Sequence, residues 1–264
     1  MTNFAQSPAF EFIRADVHRN ALYLTIGRPE VRNALHPPAH RELSRAFDAF
    51  DADDSLHCAV ITGAGEKAFC TGSDLKYRAE TGDTFIPETG FAGLAERFSL
   101  TKPVIAAVNG DAIGGGLEIV LACDLAIAVD TARFGLPEPK VGLAASGGLH
   151  RLARQIAMKH AMDIALSGRL FSAAEARDKG LVNQTVQPGT LTEAIEALVE
   201  TLSQCAPLAL RATKQMMLDG LDKPTLAAAF GSDFPAYHAM IRSEDAREGP
   251  MAFSQKRKPR WQGK

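Results

Sequence analysis

Short apolar runs, each closed by a turn residue, punctuate the first two thirds of the chain. "ALYLTI" (21–26) alternates between Asn20 and Gly27 and reads as a strand. "CAVITG" (58–63) and "PVIAAVNG" (103–110) are apolar runs ending in glycine, the pattern of buried strands. "DLAIAV" (124–129) and "LVNQTV" (181–186) are of the same kind. Between the first two runs, "HPPAHRELSRAFDAFDAD" spaces Leu43, Phe47 and Phe50 four and three apart, one face of an amphipathic helix. "FSAAEARDKG" opens on a capping box, Ser172 and Glu175, and stops at Gly180, so Glu175 reads as a helix-start residue. From about 190 onward the period is helical throughout. Short strands alternating with helices, then a helical tail, predict an α/β core over 1–190 and a C-terminal helical region over 191–264. The stretch 76–91, "KYRAETGDTFIPETGF", has the least pattern and reads as a mobile loop near something functional.

Composition narrows the class. With 46% hydrophobic and 23% charged residues in 264, the chain is an ordinary globular protein that can bury a large core without staples. A formal net charge of -2 argues against a dedicated nucleic-acid surface, and the basic tail "KRKPRWQGK" reads as a solvated terminus. Cys58, Cys70, Cys123 and Cys205 lack metal-ligand spacing and read as small hydrophobes in a reducing compartment. His36 and His40 are four apart but follow no zinc pattern, so no metal site is expected. No apolar run reaches the length of a membrane span and the N-terminus lacks a signal-peptide core, so the expected location is cytoplasmic.

The chemistry sits where glycines meet helix starts. In "FCTGSDL" (69–75) and "IGGGLEI" (113–119) an apolar run passes through glycine into a helix, whose first amides lack acceptors and lie at the positive end of the dipole. Two such ends brought together make an oxyanion hole. Glu118 follows Gly115 by three residues, about one helical turn, and Glu138 stands between two prolines in "FGLPEPKVGL". Two fixed carboxylates beside such a hole suit acid–base work on a carbonyl compound.

"GRPEVRNAL" (27–35), "VITGAGEKAFCTGSDL" (60–75), "KPVIAAVNGDAIGGGLEIVLACDLAIAV" (102–129), "ARFGLPEPKVGL" (132–143) and "SEDAREGPMAFSQKRKP" (243–259) resemble the successive blocks of the crotonase superfamily, nearest its enoyl-CoA hydratase branch. The resemblance implies a crotonase-like α/β spiral of ββα units with a C-terminal helical extension, assembled as homotrimers or hexamers. It implies an acyl-CoA thioester substrate, with coenzyme A carried on that substrate and no metal, nicotinamide or flavin. It places oxyanion-hole amides on Ser73 and Gly115, the base on Glu118 and the proton donor on Glu138. The CoA body would lie across Arg32 and Ala34, the start of "SDLKY" with Asp74, Leu75 and Lys76, and Gly114; Arg32 and Lys76 are equally readable as plain surface cations. "KRK" (256–258) would reach CoA on a neighbouring subunit. Filled positions at both glutamates favour water addition or elimination over double-bond isomerisation, which generally manages with Glu138 alone. "LAASGGLHRL" (143–152) departs from the usual hydratase pattern beside the acyl site, and Ser73 stands where alanine is frequent. His150 reads as a structural residue rather than an extra acid–base group. "GFAGLAERFSLTKPVIAAVNG" (90–110) resembles carnitinyl-CoA dehydratases. A carnitinyl-CoA dehydratase-like enzyme, an enoyl-CoA isomerase and a non-catalytic binding protein of this superfamily are the alternatives.

Overall fold

A computed structural model describes residues 10–264. β1 (Ile13–His18) and β2 (Ala21–Ile26) form an antiparallel hairpin closed by Arg19 and Asn20, both at positive φ, as a two-residue primed turn requires. β1 escapes sequence reading because it is an edge strand whose residues are mostly solvated. α1 (Pro37–Ala52) starts on two prolines, which suit a first helical turn, and buries Ala39, Leu43, Ala46, Phe47 and Phe50 on its core face. Its Glu42 is buried too, and accepts the Glu11 and Phe12 amides at 2.9 and 2.8 Å.

A three-part unit then repeats. β3 (Cys58–Gly63), β4 (Ala68–Cys70) and α2 (Leu75–Thr81) form its first copy; β5 (Val104–Val108), β6 (Asp111–Ile113) and α3 (Gly115–Ala122) form the second. β7 (Leu125–Val129) and β8 (Arg133–Gly135) begin a third, completed by α4 (Leu149–Gln155) and α5 (Met158–Ser167). β9 (Leu170–Ser172), α6 (Ala173–Asp178) and β10 (Gln184–Val186) close the core. The first strand of each unit joins one sheet in the order β1-β2-β3-β5-β7-β10, parallel from β2 onward. The second strand joins a smaller sheet, β4-β6-β8-β9, in which β4, β6 and β8 run parallel. The core is a spiral of ββα units.

The expected strands appear with trimmed ends: 103–110 is Val104–Val108 and 181–186 is Gln184–Val186. The expected loop 76–91 is corrected at its start: it holds all of α2 but Leu75, a helix capped by the Asp74 carboxylate and ended by Gly82 at φ 71°. Ser172 caps α6 by accepting the Glu175 amide, while the Glu175 carboxylate pairs with Arg169 instead of returning to the cap. From Leu191 the chain is helical: α7 (Leu191–Ser203), α8 (Pro207–Leu221), α9 (Leu226–Phe230), α10 (Pro235–Arg242) and α11 (Glu244–Ser254). The tail beyond α11 packs back on the protein. Trp261 donates to the Gln204 carbonyl, and the Gln262 and Gly263 amides donate to the buried Asp245. Among the described residues no helix is long and apolar enough to cross a membrane, and no cluster of side chains could hold a metal ion.

Candidate active site

The smaller sheet decides where the chemistry meets. β4, β6 and β8 are neighbours and parallel, so the turns leaving their carboxyl ends adjoin. Those turns carry Ser73, Gly115 and Glu138 in that spatial order. The carboxyl edge of parallel strands is the general place for ligands in α/β proteins, because strand-to-helix turns there expose amides.

Gly72 has φ 89° and Gly114 φ 56° with ψ −125°, backbone that side chains resist. Both also lack room. A Cβ on Gly72 would stand 3.1 Å from the Gly115 nitrogen, and one on Gly114 would stand 2.8 Å from Glu138 Oε1. Ser73 is clamped between two bonds to Leu35: the Leu35 amide donates to the Gly72 carbonyl at 2.8 Å and the Asp74 amide to the Leu35 carbonyl at 2.9 Å. Among the described residues neither the Ser73 nor the Gly115 amide donates to a backbone carbonyl. They form a pair of fixed, unspent donors beside two carboxylates.

α3 is buried on almost every side, which takes Glu118 into the core with only 6% of its surface exposed. Burial, reinforced by the charge of Glu138, pushes the Glu118 carboxyl up to about 7, while the Gly147 and Gly148 amides pull the other way. The Gly147 amide donates to Oε1 at 3.0 Å. Glu138 opens a short 3-10 turn (Glu138–Val141) after Pro137, and burial raises its carboxyl as well. Its Oε2 is buried without a hydrogen-bond partner among the described residues. Burial thus raises both carboxyls, and the charge of Glu138 raises Glu118 further. Two raised carboxyls beside free amides can in principle move protons while an oxygen that gains charge is held.

The other expected residues divide. The bridge between Leu35 and Ser73 sets the turn at 32–35 beside the start of α2, so Arg32, Ala34, Leu75 and Lys76 share one rim. The Arg32 and Lys76 side chains are exposed there, Lys76 loosely paired with Glu80 at 3.9 Å. Asp74 is committed internally: its carboxylate accepts the Tyr77 amide at 3.0 Å and Arg28 at 2.9 Å. Burial pushes that carboxyl up, but the Tyr77 and Arg28 hydrogen bonds outweigh it and hold it below the ordinary range. The Asp74 side chain is therefore a helix cap and an ion-pair partner, not an open ligand contact. In "KRK", Arg257 is bound to Glu248 at 2.6 and 2.8 Å, leaving Lys256 and Lys258 exposed. His150 is exposed. His36 and His40 are buried apart from any ligand cluster, and the His40 Nδ1 accepts the Ala92 amide at 3.0 Å. Sequence reading missed Gly147 as a donor to Glu118 and Phe91 as a neighbour of Gly115; the glycine pair in "ASGG" was the available signal for the first.

A family model described as enoyl-CoA hydratase/isomerase matches residues 16–264. Among curated proteins, a carnitinyl-CoA dehydratase of Salmonella arizonae is 41% identical over 259 residues, covering 96% of this chain and 99% of its own length. An (E)-benzylidenesuccinyl-CoA hydratase of Thauera aromatica is 37% identical over 264 residues, covering 95% of this chain and 99% of its own. Among solved structures, an enoyl-CoA hydratase from Mycobacterium tuberculosis H37Rv matches with a TM-score of 0.90 at 39% identity, covering 96% of this chain and 99% of that one.

Proposed function

This chain belongs to the enoyl-CoA hydratase/isomerase family, with the crotonase fold, and we propose that it is a 2-enoyl-CoA hydratase forming 3-hydroxyacyl-CoA. The observation that carries the reading is the pair of raised carboxyls, buried Glu118 and half-buried Glu138, beside the unspent amides of Ser73 and Gly115. In the forward direction ionised Glu118 takes a proton from water as the water oxygen bonds to C3. Negative charge passes to the thioester oxygen, held by the two amides, and protonated Glu138 delivers a proton to C2. The pair ends with its proton on Glu118, and exchange with solvent returns it to Glu138. Dehydration runs through the same groups in reverse.

Coenzyme A arrives as part of the substrate, and the reading requires no separate cofactor. Its body lies along the rim of Arg32, Ala34, Leu75, Lys76 and Gly114. Residues 191–264 supply homotrimer contacts, in single or paired trimers; exposed Met217, Leu221, Leu226 and Phe230 on α8 and α9 support this. Light scattering in solution tests the assembly, and a monomer at micromolar concentration overturns it. The setting we propose is cytoplasmic, where the thiols of Cys58, Cys70, Cys123 and Cys205 would stay reduced.

The test of function is loss of the conjugated thioester absorbance of crotonyl-CoA, with Glu118→Gln and Glu138→Gln alongside. Turnover by wild type, reduced about a hundredfold or more in each variant, is the expected result. Turnover that survives either substitution removes that glutamate from the mechanism. A second reading, dehydration of a carnitinyl-CoA thioester, draws on the 41% identity to the Salmonella arizonae enzyme. Preference for crotonobetainyl-CoA over crotonyl-CoA would select it.

A further inference from the structure

The segment 90–97 carries a concentration of costly features that neither carboxylate explains. Gly90, Ala92 and Gly93 all have positive φ, and Ala92, at φ 57° and ψ 17°, is a residue that seldom adopts this conformation. Gly93 lies so close to α1 that a Cβ would come within 2.5 Å of the Ser44 Cα. The Arg97 guanidinium, buried to 6% side-chain exposure, bonds the Gly93 carbonyl at 2.8 Å, the Ser44 carbonyl at 3.1 Å and Asp48 at 2.7 Å. His40, 2% exposed, uses Nδ1 to accept the Ala92 amide, and its ring meets Phe91 edge-on at 4.6 Å. Because that acceptor nitrogen must be unprotonated, the ring works neutral; burial pushes it down to about 4, so it stays neutral at physiological pH.

All this fixes one object. The Phe91 ring is buried with its far end against Gly115: a Cβ on Gly115 would overlap Cζ and stand 2.5 and 2.7 Å from Cε1 and Cε2. The ring is thus wedged between His40 on α1 and the first residue of α3. We propose that Phe91 is a positioning residue that sets the place of the Gly115 amide, and that His40 holds it there through Ala92. The inference rests on Gly115 serving as an oxyanion donor. A backbone donor has no rotamer of its own to adjust, so its aim depends on what its Cα leans against. Phe91 supplies that support from a segment anchored on α1 instead of on α3 itself. Loss of the wedge lets the amide withdraw from the developing oxyanion, and displacements of this kind lower rates by about tenfold to a hundredfold.

The test compares Phe91→Leu, His40→Leu and His40→Asn with wild type. Asn places an oxygen acceptor where Nδ1 stands, whereas Leu fills space without one. Two readouts are used: steady-state kinetics on crotonyl-CoA, and the infrared carbonyl stretch of bound butyryl-CoA labelled with 13C at C1. The expected result is a kcat about tenfold to a hundredfold lower in Phe91→Leu and His40→Leu with KM within about threefold, and recovery in His40→Asn. The carbonyl stretch, lowered by the oxyanion donors in wild type, returns toward its free value in the two Leu variants and is lowered again in His40→Asn. If Phe91→Leu does not fold, the two His40 variants decide the question alone. A full carbonyl shift in wild type and in folded Leu variants overturns this inference and leaves the proposed function standing. No shift in wild type overturns the oxyanion assignment, and this inference with it.

Discussion

Replacing Glu118 by Gln should make the protein more stable and nearly inactive, with the stability gain tied to pH. The carboxyl moves from 4.5 to about 7 on folding, first through burial and then through the charge of Glu138. The folded state therefore binds the proton more tightly than the unfolded chain. Between about pH 4.5 and 7 the native state holds more protons, and stability falls as pH rises across that window. At about 1.4 kcal/mol per unit of displacement, ionised Glu118 costs the native state about 3 kcal/mol above pH 7 and almost nothing below pH 4.5. Gln keeps the shape and an acceptor for the Gly147 amide but cannot ionise. For 264 residues an unfolding entropy of about 0.55 kcal/mol per kelvin turns this into a Tm about 5 °C higher at pH 8. Thermal unfolding of both proteins from pH 5 to 8.5 measures it. A variant less stable than wild type at pH 8, or a difference that does not vary with pH, would refute the claim that a buried charge is held here against the fold.

The same carboxyl shapes the rate. With Glu118 as base, kcat/KM rises with pH through about 7; a limb near 4.5 in wild type would contradict the assignment. Ser73→Ala should leave kcat within about threefold if, as proposed, the backbone amide and not the hydroxyl is the donor; a hundredfold loss would make the hydroxyl the working group. Asp74→Ala removes the α2 cap and strands Arg28, whose side chain is only 11% exposed, and should cost about 3 kcal/mol in urea unfolding, with Asp74→Asn milder because it keeps an acceptor for Tyr77. Equal costs for the two would mean that the Tyr77 cap bond contributes nothing and that loss of the Arg28 ion pair carries the whole effect. Gly116→Ala would press a Cβ into the Cys70 carbonyl oxygen and should destabilise by about 3 kcal/mol, measured the same way; a neutral effect would show that β4 and α3 shift apart freely.

Much of this was legible before any coordinates. The strands at 58–63, 103–110 and 124–129 follow from apolar runs that only a doubly covered sheet would hide, and all three lie buried. The helix ends at Ser172, Gly180 and Pro37 follow from backbone groups that need particular partners. The second strands of each unit were not legible, because three residues such as Ala68–Cys70 are too few to show a period. Asp74 looked like a ligand contact because nothing local shows Arg28, 46 positions earlier in the chain, waiting to pair with it.

What the sequence by itself determined is the set of parts: glycine turns leading into helix starts, a carboxylate one turn beyond one of them and another held between prolines. Those are local choices, made by φ, ψ and capping within a few residues. Their convergence was decided only by the tertiary structure. Ser73, Gly115 and Glu138 face one another because β4, β6 and β8 lie side by side in parallel, and strand order is written in no single segment. Burial belongs to the same level: Glu118 has a raised carboxyl because the whole of α3 is enclosed and Glu138 stands close by, so its acid–base character comes from the surroundings the fold builds around it.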